Sequence, residues 1–386
     1  MERLRQSMPQ WVPLAAYLNN KGFPLYRNTA ARYLPTGKAF LEDMLDAMEQ
    51  AERFIFLEYF IMAEGEIWHR LTDILRRKSG QGVEVKLIVD DFGSMLRMPA
   101  EEVDSLRRAG VEVMIFNPVH HYVNRLYFNY RDHRKITCID GDTAYTGGAN
   151  LADEYADIIR RFGYWKDCGL RLEGEGAWGL TREFIYMWER LGGQLHSEHD
   201  YYRPMHQAAS DGFCQTLVDG PDNNPDATAE DVFLQLISRA RQTVYITTPY
   251  LAIDEPMLKA LCLAGDSGVD VRLMMPGIPD HKFAYQVAQS YFPELTDHGV
   301  KIYTYTPGLI HGKTVMVDRE AAFVGSVNMD FRSFQLHFEC GELLYRMPAI
   351  ESLLEDMDDI MARSEPGTPA RMAARPWYCL LYTSDA

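Results

Sequence analysis

The chain has 386 residues and a formal net charge of −16, with a sequence pI of about 5.2. Its length favours two domains over one, and its acidity argues against a nucleic-acid partner, because contacts between basic side chains and phosphates dominate that affinity. No apolar run approaches the ~20 residues that a membrane-spanning helix needs, and no signal peptide is apparent.

The six cysteines are scattered, and none stands in the C-x-x-C spacing of a zinc or redox site. Cys138 and Cys262 lie in apolar runs and are predicted to be buried thiols. We therefore expect no disulfide framework, no zinc site and a reducing, cytosol-facing environment.

Predicted elements follow the same order twice along the chain, which indicates an internal repeat. Apolar runs alternate with helical stretches, as is typical of buried strands in βα units. In the first unit, helices are predicted at 40–51, 66–78 and 101–109, and strands at 54–61, 83–90 and 111–116. In the second unit, helices are predicted at 233–241, 256–264 and 284–297, and strands at 243–248, 269–275 and 300–305.

This alternation predicts an α/β fold of two pseudo-symmetric α/β/α domains with mixed sheets, packed face to face. The least patterned segment, 192–212, is polar and begins with two glycines, so we place the domain linker there. The predicted division of the chain is an N-terminal segment at 1–35, a first domain at 36–191, a second domain at 213–363 and an atypical C-terminal tail at 364–386.

Each unit ends in the pattern H-x-K-x4-D-x6-G-[GS]-x-N, and every position of the second copy lies 178 residues after its counterpart. One H-x-K triplet carries no information, but two copies with identical spacing are not expected by chance. The first copy comprises His133, Lys135, Asp140, Gly147, Gly148 and Asn150, and the second comprises His311, Lys313, Asp318, Gly325, Ser326 and Asn328.

The spacing within the pattern has a physical reason. Residues i and i+2 of a strand point to the same face, so the histidine and lysine of each copy project together. Asp140 and Asp318 are candidate catalytic residues as members of the pattern, but they fall at strand ends, where bonding to turn backbone is the favoured role. Asn150 and Asn328 follow glycines that permit close backbone approach, and so offer amides to the same site.

Two such pairs, joined across a pseudo-twofold axis, would place two imidazoles and two ammonium groups around one shared active site. This arrangement suits a phosphodiester, because one histidine can attack phosphorus while the other protonates the leaving alkoxide. The lysines and asparagines would hold the charge on the non-bridging oxygens. We expect no metal and no cofactor, because the cationic side chains take that electrostatic role.

The doubled pattern resembles the phospholipase D superfamily, and the stretch from about 22 to 358 resembles bacterial cardiolipin synthases. The resemblance implies two phospholipase D-like domains with one joint site, His133 as the nucleophile and His311 as the general acid. Superfamily members commonly supply an acidic partner for the histidines after each motif, and Asp167 and Glu339 match that position. The family usually begins with one or two membrane helices, which 1–35 lacks, and 364–386 departs from its usual ending.

The implied reaction transfers a phosphatidyl group between two phosphatidylglycerol molecules and releases glycerol through a phosphohistidine. A hydrolase acting on lipid, or less readily on nucleic acid, stays open because water and a lipid hydroxyl use the same catalytic groups. A non-catalytic protein on the same fold is the third hypothesis. The expected partners are phosphatidylglycerol and the membrane surface at the cytoplasmic face of the cell membrane, without nucleic acid, and the oligomeric state is left open.

Several residues near the first motif carry weaker signals. The pair His120-His121 is a poor metal site, since adjacent side chains of an extended chain point apart and no acidic cluster accompanies them, so a place at the substrate entrance is favoured. Nearby aromatic residues fit lipid contact or packing equally well; they are Tyr122, Tyr127, Phe128 and Tyr130. Positive charge is concentrated in Arg131, Arg134, Arg160, Arg161, Lys166 and Arg171.

Overall fold

The chain repeats one order of strands and helices in two halves, as a computed structural model shows for residues 1–94, 97–118, 129–195, 199–210, 212–221 and 226–367. Two helices precede the first repeat, and another helix ends it. The elements of the first half are α1 (Glu2–Ser7), α2 (Val12–Asn20), β1 (Thr29–Leu34), α3 (Gly37–Glu49), β2 (Phe54–Tyr59), α4 (Glu66–Gly80), β3 (Glu84–Asp90), α5 (Asp91–Ser94), α6 (Ala100–Arg108), β4 (Glu112–Phe116), β5 (Lys135–Ile139), β6 (Thr143–Gly147), β7 (Tyr164–Lys166), β8 (Gly169–Gly174) and α7 (Ala177–Arg190).

The second half repeats this order from its first strand onward. Its elements are β9 (Phe213–Asp219), α8 (Thr228–Arg239), β10 (Thr243–Thr247), β11 (Leu251–Ala252), α9 (Glu255–Asp266), β12 (Asp270–Pro276), α10 (Lys282–Asp297), β13 (Lys301–Tyr305), β14 (Gly308–Ile310), β15 (Lys313–Val317), β16 (Ala321–Gly325), β17 (Met329–Asp330), α11 (Phe331–Gln335), β18 (Glu339–Tyr345), α12 (Ala349–Ala362) and β19 (Ser364–Pro366). All twelve helices and strands predicted from the sequence are present, with ends that shift by a few residues.

Capping residues and apolar spacing explain these elements. Helix α3 begins after Thr36, whose hydroxyl accepts a hydrogen bond from the backbone N–H of Ala39. Its buried residues recur at helical spacing, so one face of the helix packs on the sheet. Strand β2 is instead buried along its whole length, because apolar clusters cover both of its faces.

The two sheets have the same strand order, which confirms the predicted pair of α/β domains with mixed sheets. The first sheet runs β1-β8-β6-β5-β2-β3-β4, and the second runs β9-β18-β16-β15-β10-β12-β13 with β19 added beside β13. Strands β2, β3 and β4 are parallel, whereas β5, β6 and β8 are antiparallel to their neighbours. The motif strands therefore lie in the middle of each sheet.

Strand pairing extends the first sheet before the predicted start of the first domain and the second sheet past the predicted end of the second domain. Matching the two orders makes β1 the counterpart of β9, so Thr29–Leu34 is the edge of the first sheet although the sequence placed 1–35 before the domain. Its sequence lacks an apolar run because an edge strand is partly exposed. Strand β19 likewise extends the second sheet past residue 363.

The segments outside the repeats pack against them. Trp11 is fully buried and donates from Nε1 to Glu320 Oε2 at 3.2 Å, so the helices before β1 rest on the second half. Within the predicted linker, Tyr202 is buried and donates a hydrogen bond to Glu84. Among the described residues, no helix combines the length and apolar character that crossing a bilayer requires.

The first sheet separates two cores, and one of them joins the halves. Phe54 and Phe56 belong to a cluster that continues through α7 into the second half, whereas Ile55 and Leu57 face the cluster formed with α3 and α4. Helix α7 contacts β9, and β6 contacts β16 and β18. The two sheets therefore share one continuous apolar interface, and the motif strands of both halves meet at it.

The motif aspartates stabilise the fold, and they lie far from the motif histidines. Asp140 accepts hydrogen bonds from the backbone N–H groups of residues 52–54 at 2.7–2.9 Å, and Asp318 accepts from residues 241–243 at 2.8 Å. Each tethers the start of the neighbouring strand. Asp140 follows the end of β5, about 16 Å from Lys135 at the strand rise. These contacts agree with the backbone-bonding role that the sequence favours for both aspartates.

We predict that Asp140→Ala and Asp318→Ala each destabilise the protein by roughly 2–4 kcal/mol, because three backbone N–H groups at the start of a strand lose a charged acceptor. The fraction of each variant that stays folded should keep the activity of the parent protein. Chemical denaturation and activity per folded molecule measure the two effects, with Asp46→Ala on the exposed face of α3 as the control. A tenfold loss of turnover without loss of stability would contradict the structural role.

Candidate active site

Each motif histidine is fixed by backbone hydrogen bonds to the other half of the chain. The backbone N–H of His133 donates to the carbonyl oxygen of Phe338 at 2.9 Å, and the N–H of His311 donates to that of Lys166 at 2.7 Å. The second contact continues a short parallel pairing of β14 with β7. Because Phe338 and Lys166 each precede an acidic residue, these contacts bring each histidine beside a carboxylate.

The histidine–carboxylate pairs are crossed between the halves. His133 Nδ1 lies 2.9 Å from both carboxylate oxygens of Glu339, and His311 Nδ1 lies 2.8 Å from Asp167 Oδ2. All four side chains are buried. The structure thus brings together the two histidines and the two acids that the sequence proposed, and each acid serves the histidine of the other motif.

Residues after each motif make room for these carboxylates. A Cβ atom on Gly148 would lie 2.2 Å from Asp167 Oδ1, so a side chain there would displace the acid. The matching position of the second motif is Ser326, whose hydroxyl donates to Glu339. A second hydroxyl, that of Ser333, donates to Glu339 at 2.8 Å. The G-[GS] step of the motif therefore supports the acid rather than the substrate.

Burial sets the resting protonation of the pairs. It lowers the pKa of His133 to about 3 and also lowers the pKa of His311, to which Lys313 adds its positive charge. Burial opposes ionisation of Glu339 and Asp167, but their histidine partners hold both carboxyl pKa values below the usual range. Near neutral pH, each neutral ring donates from Nδ1 to a carboxylate and keeps a lone pair on Nε2.

The two motif lysines lie beside their own histidines. Lys135 Nζ donates to the carbonyl oxygen of His133, and Lys313 Nζ lies 3.1 Å from His311 Nε2. Burial lowers the pKa of Lys135 to about 7, although Glu339 raises it, and burial also lowers the pKa of Lys313. A bound anion would stabilise the charged form of both lysines and offset the cost of their desolvation.

The two motif asparagines differ from each other. Asn150 accepts from the backbone N–H of Ile61 at 3.1 Å and donates to the Tyr155 hydroxyl at 2.8 Å, so its amide joins elements around the site. Asn328 is also buried, and its Oδ1 has no hydrogen-bond partner among the described residues. The two asparagines therefore have different surroundings, and their geometry does not support one shared role toward phosphate oxygens.

Three aromatic side chains and one histidine near the motifs were missed by the sequence reasoning. Tyr155 and Trp165 each place a ring centre 5.3 Å from that of His311. Phe60 lies at 5.2 Å from His133, and His337 at 5.6 Å. Trp165 and His337 each stand two residues before an acid, so strand alternation was the signal that could have found them.

His337 also changes the expectation about metals. Ligand atoms of His133, His337 and Glu339 lie within 4.8 Å of one another, a set of types that zinc accepts. The sequence pointed to no metal ligands in this place. The same carboxylate already accepts the His133 Nδ1 proton, which a metal on that nitrogen would have to displace.

The basic residues around the first motif are mostly structural. Buried Arg131, Arg134 and Lys166 pair with Asp90, Glu58 and Asp356, and Arg171 pairs with Asp43. Arg160 and Arg161 are exposed. The positive charge predicted around the site therefore comes from the motif lysines. The residues His120, His121, Tyr122, Tyr127 and Phe128 lie outside the described part of the chain.

Comparison with known proteins decides the family. The family described as cardiolipin synthase, PLD-like domain, matches residues 44–159 and 233–361. The chain belongs to this family. The predicted membership of the phospholipase D superfamily, as an enzyme with two such domains, is thereby confirmed, and the matched ranges hold one copy of the motif each.

Relatives and a solved structure agree with this membership. The chain is 39% identical to an uncharacterised protein of Streptococcus mutans over 94% of the chain and 78% of that protein. It is 37% identical to cardiolipin synthase 2 of Bacillus anthracis over 87% of the chain and 65% of that protein. The crystal structure of Haemophilus influenzae phosphatidylserine synthase shares the fold, with a TM-score of 0.70 at 14% identity over 93% of this chain and 92% of that one.

We predict that sulfate binds with proton uptake above neutral pH. Burial lowers the pKa of Lys135 to about 7, and an anion bound beside the lysine would raise that pKa. Below pH 7 the lysine is protonated in both states, whereas above pH 7 binding must draw a proton from solution. Affinity should therefore fall up to about tenfold per pH unit above 7.

Calorimetric titration with sulfate between pH 6 and 9, in buffers of different ionisation enthalpy, measures both the affinity and the proton uptake. Lys135→Met should weaken binding and reduce the uptake. Affinity that stays constant over this pH range would contradict the predicted coupling.

We predict that substituting the acid of one half changes the histidine of the other half. Glu339→Gln should remove the downfield Nδ1–H resonance of His133 and spare that of His311, and Asp167→Asn should do the reverse. Each substitution should lower turnover by roughly 10²–10⁴. Proton NMR with 15N-labelled histidine checks the assignment. The control is Glu342→Gln, a buried acid that bonds Thr216. Loss of the resonance in the same half would contradict the crossed arrangement.

Proposed function

We propose that this chain is a cardiolipin synthase that transfers a phosphatidyl group from one phosphatidylglycerol to a hydroxyl of another and releases glycerol. The observation that carries the proposal is the crossed pair of buried imidazoles, each with a carboxylate on Nδ1 and a lysine beside it. Relatives named cardiolipin synthase support the choice of substrate. The chain spans 65–70% of the length of these two relatives, which is why the whole reaction is proposed.

In the first step, the Nε2 lone pair of His133 attacks phosphorus while the bond from phosphorus to the glycerol oxygen breaks. His311 donates its Nε2 proton to that oxygen, so glycerol leaves neutral and a phosphohistidine remains. The resting pKa of His311 is lowered by burial and by Lys313. The negative charge of a bound phosphodiester opposes that shift, which supplies the proton the leaving group needs.

In the second step, neutral His311 takes the proton from the hydroxyl of a second phosphatidylglycerol. That oxygen attacks phosphorus, the bond from phosphorus to nitrogen breaks, and His133 regains its lone pair. Glu339 holds the ring orientation of His133 through both steps, and Asp167 does the same for His311. Lys135 and Lys313 stabilise the charge on the non-bridging oxygens, so the scheme uses no metal and no cofactor.

The assignment of His133 as the nucleophile follows the resemblance to the superfamily, since both pairs have the geometry to attack. We place the enzyme at the cytoplasmic face of the cell membrane, where phosphatidylglycerol is presented. The cysteines within the described residues, Cys138, Cys168, Cys214, Cys262 and Cys340, are buried free thiols, as a reducing compartment favours. Acidity of the chain argues against nucleic acid as a substrate.

The test is product analysis on phosphatidylglycerol vesicles. Cardiolipin and glycerol should form in equal amounts, with and without excess chelator. His133→Ala and His311→Ala should each lower turnover by at least about 10³, whereas His298→Ala should not, because His298 is half-buried beside Asp266 at the end of α10. With a substrate whose leaving group needs no proton, His311→Ala should still accumulate the phosphoenzyme and His133→Ala should not.

Other products would decide against parts of the proposal. Phosphatidic acid as the main product would make water the acceptor and the protein a phospholipase. Faster cleavage of nucleic acid than of lipid would exclude both lipid activities. A phosphoenzyme that forms in His133→Ala and disappears in His311→Ala would exchange the two histidine roles.

A further inference from the structure

Exposed apolar side chains are concentrated at the edge of the molecule that holds the histidines. Eleven large hydrophobic residues are exposed within the described part of the chain, and six follow strands that end at this edge. These six are Phe92, Ile158, Ile159, Ile278, Phe283 and Phe331. The other five lie on other parts of the surface, so the clustering exceeds what scattered single residues produce.

The strand directions show that these residues share an edge. Strand β5 is antiparallel to β2, and Lys135 lies opposite Tyr59, so the histidine end of β5 coincides with the carboxyl ends of β2, β3 and β4. Phe92 follows β3 there, and Ile158 follows the loop after β6. The second sheet has the same directions, which puts the end of β16 at its matching edge. Phe331 follows β16 after the short strand β17.

Two tips at this edge combine apolar residues with arginines. The first tip is Ile158-Ile159-Arg160-Arg161, eight residues beyond Asn150, and the second is Phe331-Arg332, three residues beyond Asn328. Ile159 is 52% exposed and Phe331 is 60% exposed, the arginines are exposed as well, and each tip follows one motif.

Both tips are held rigidly rather than hanging free. The backbone N–H of Ile158 donates to the carbonyl oxygen of Asp153 at 3.0 Å. Phe331 begins α11, and Asp330 caps that helix by accepting from the backbone N–H of Ser333 at 2.8 Å. A side chain presented in this way loses little further entropy when it is buried against a partner.

The tips carry positively charged side chains, although the net charge of the chain is negative. The whole chain carries −16, yet each tip ends in arginine. The acids beside them are engaged internally: Asp153 accepts from the backbone of residues 66 and 67, and Asp330 caps α11. Arg160 pairs with Asp157, whereas Arg161 and Arg332 form no ion pair with another described residue. Apolar residues next to arginines match an anionic lipid surface, where one inserts and the other meets phosphates.

We propose that the two tips dock the enzyme onto the surface of an anionic phospholipid bilayer, with Ile158, Ile159 and Phe331 inserted and Arg161 and Arg332 at the headgroup phosphates. The edge that holds both histidines then faces the bilayer, and lipid headgroups reach the histidines without leaving the membrane. This proposal rests on the proposed function, because it assumes that the substrate lies in that bilayer.

Co-sedimentation with vesicles tests the docking surface in a His133→Ala background, which prevents turnover of the lipid. Vesicles of equal parts phosphatidylglycerol and phosphatidylcholine should bind the protein, and pure phosphatidylcholine should bind it much more weakly. The triple variant Ile158→Ser, Ile159→Ser, Phe331→Ser should lose at least about 100-fold in affinity. The pair Arg161→Gln, Arg332→Gln should lose roughly 20-fold at low salt.

A matched control is Leu263→Ser with Met205→Ser, which replaces equally exposed apolar residues away from this edge and should bind as the parent does. With His133 restored, the triple variant should convert a dispersed short-chain phosphatidylglycerol at the parent rate and lose activity on vesicles. Unchanged vesicle binding by the triple variant, or equal loss in the control, would overturn the docking surface. Failure of every protein, parent included, to convert dispersed substrate would instead count against the proposed function.

Discussion

Neither half of the chain contains a complete histidine–carboxylate pair, and the organisation of the molecule follows from that constraint. His133 needs Glu339, and His311 needs Asp167, so the two sheets must meet along the edge where both motifs lie. The short pairing of β14 with β7 fixes one contact in register, and the bridge between Asp132 and Phe338 fixes the other. Hydrogen-bonded backbone, rather than flexible side chains, sets the distance within each pair.

Burial keeps the histidines of this site neutral and makes the charged form of its lysines costly. Together these two effects favour the binding of an anion. Removing the imidazoles from water keeps them neutral and therefore nucleophilic, while the carboxylates hold their tautomer. The same desolvation makes two ammonium groups costly to keep charged. A phosphodiester relieves that cost by its charge, whereas a neutral molecule of equal size does not. The two buried lysines therefore favour an anionic ligand without help from basic side chains at the surface.

Periodicity and spacing predicted the repeated elements and the motif residues because both are local properties of the chain. The crossing of the acids could not be predicted, since it depends on how the halves dock. The edge strand β1 was missed because partial exposure removes the apolar run that marks a strand. Arg134 and Lys166 contribute to the concentration of positive charge near the first motif in the sequence, yet they form buried ion pairs whose partners are far away in sequence. Asn150 and Asn328 share a motif position but have different neighbours.

The crossed pairs also bear on how such a chain could arise. A single half has no complete pair of its own, because its histidine and its acid both find their partners in the other half. It would acquire one by dimerising with an identical copy, each subunit lending its acid to the other. The two linked halves of this chain hold both pairs around one joint site, as the two subunits of such a homodimer would. The two pairs in this chain are not identical, since Asp167 has Trp165 beside it where Glu339 has His337, so a tandem chain can differ between its halves where a homodimer cannot.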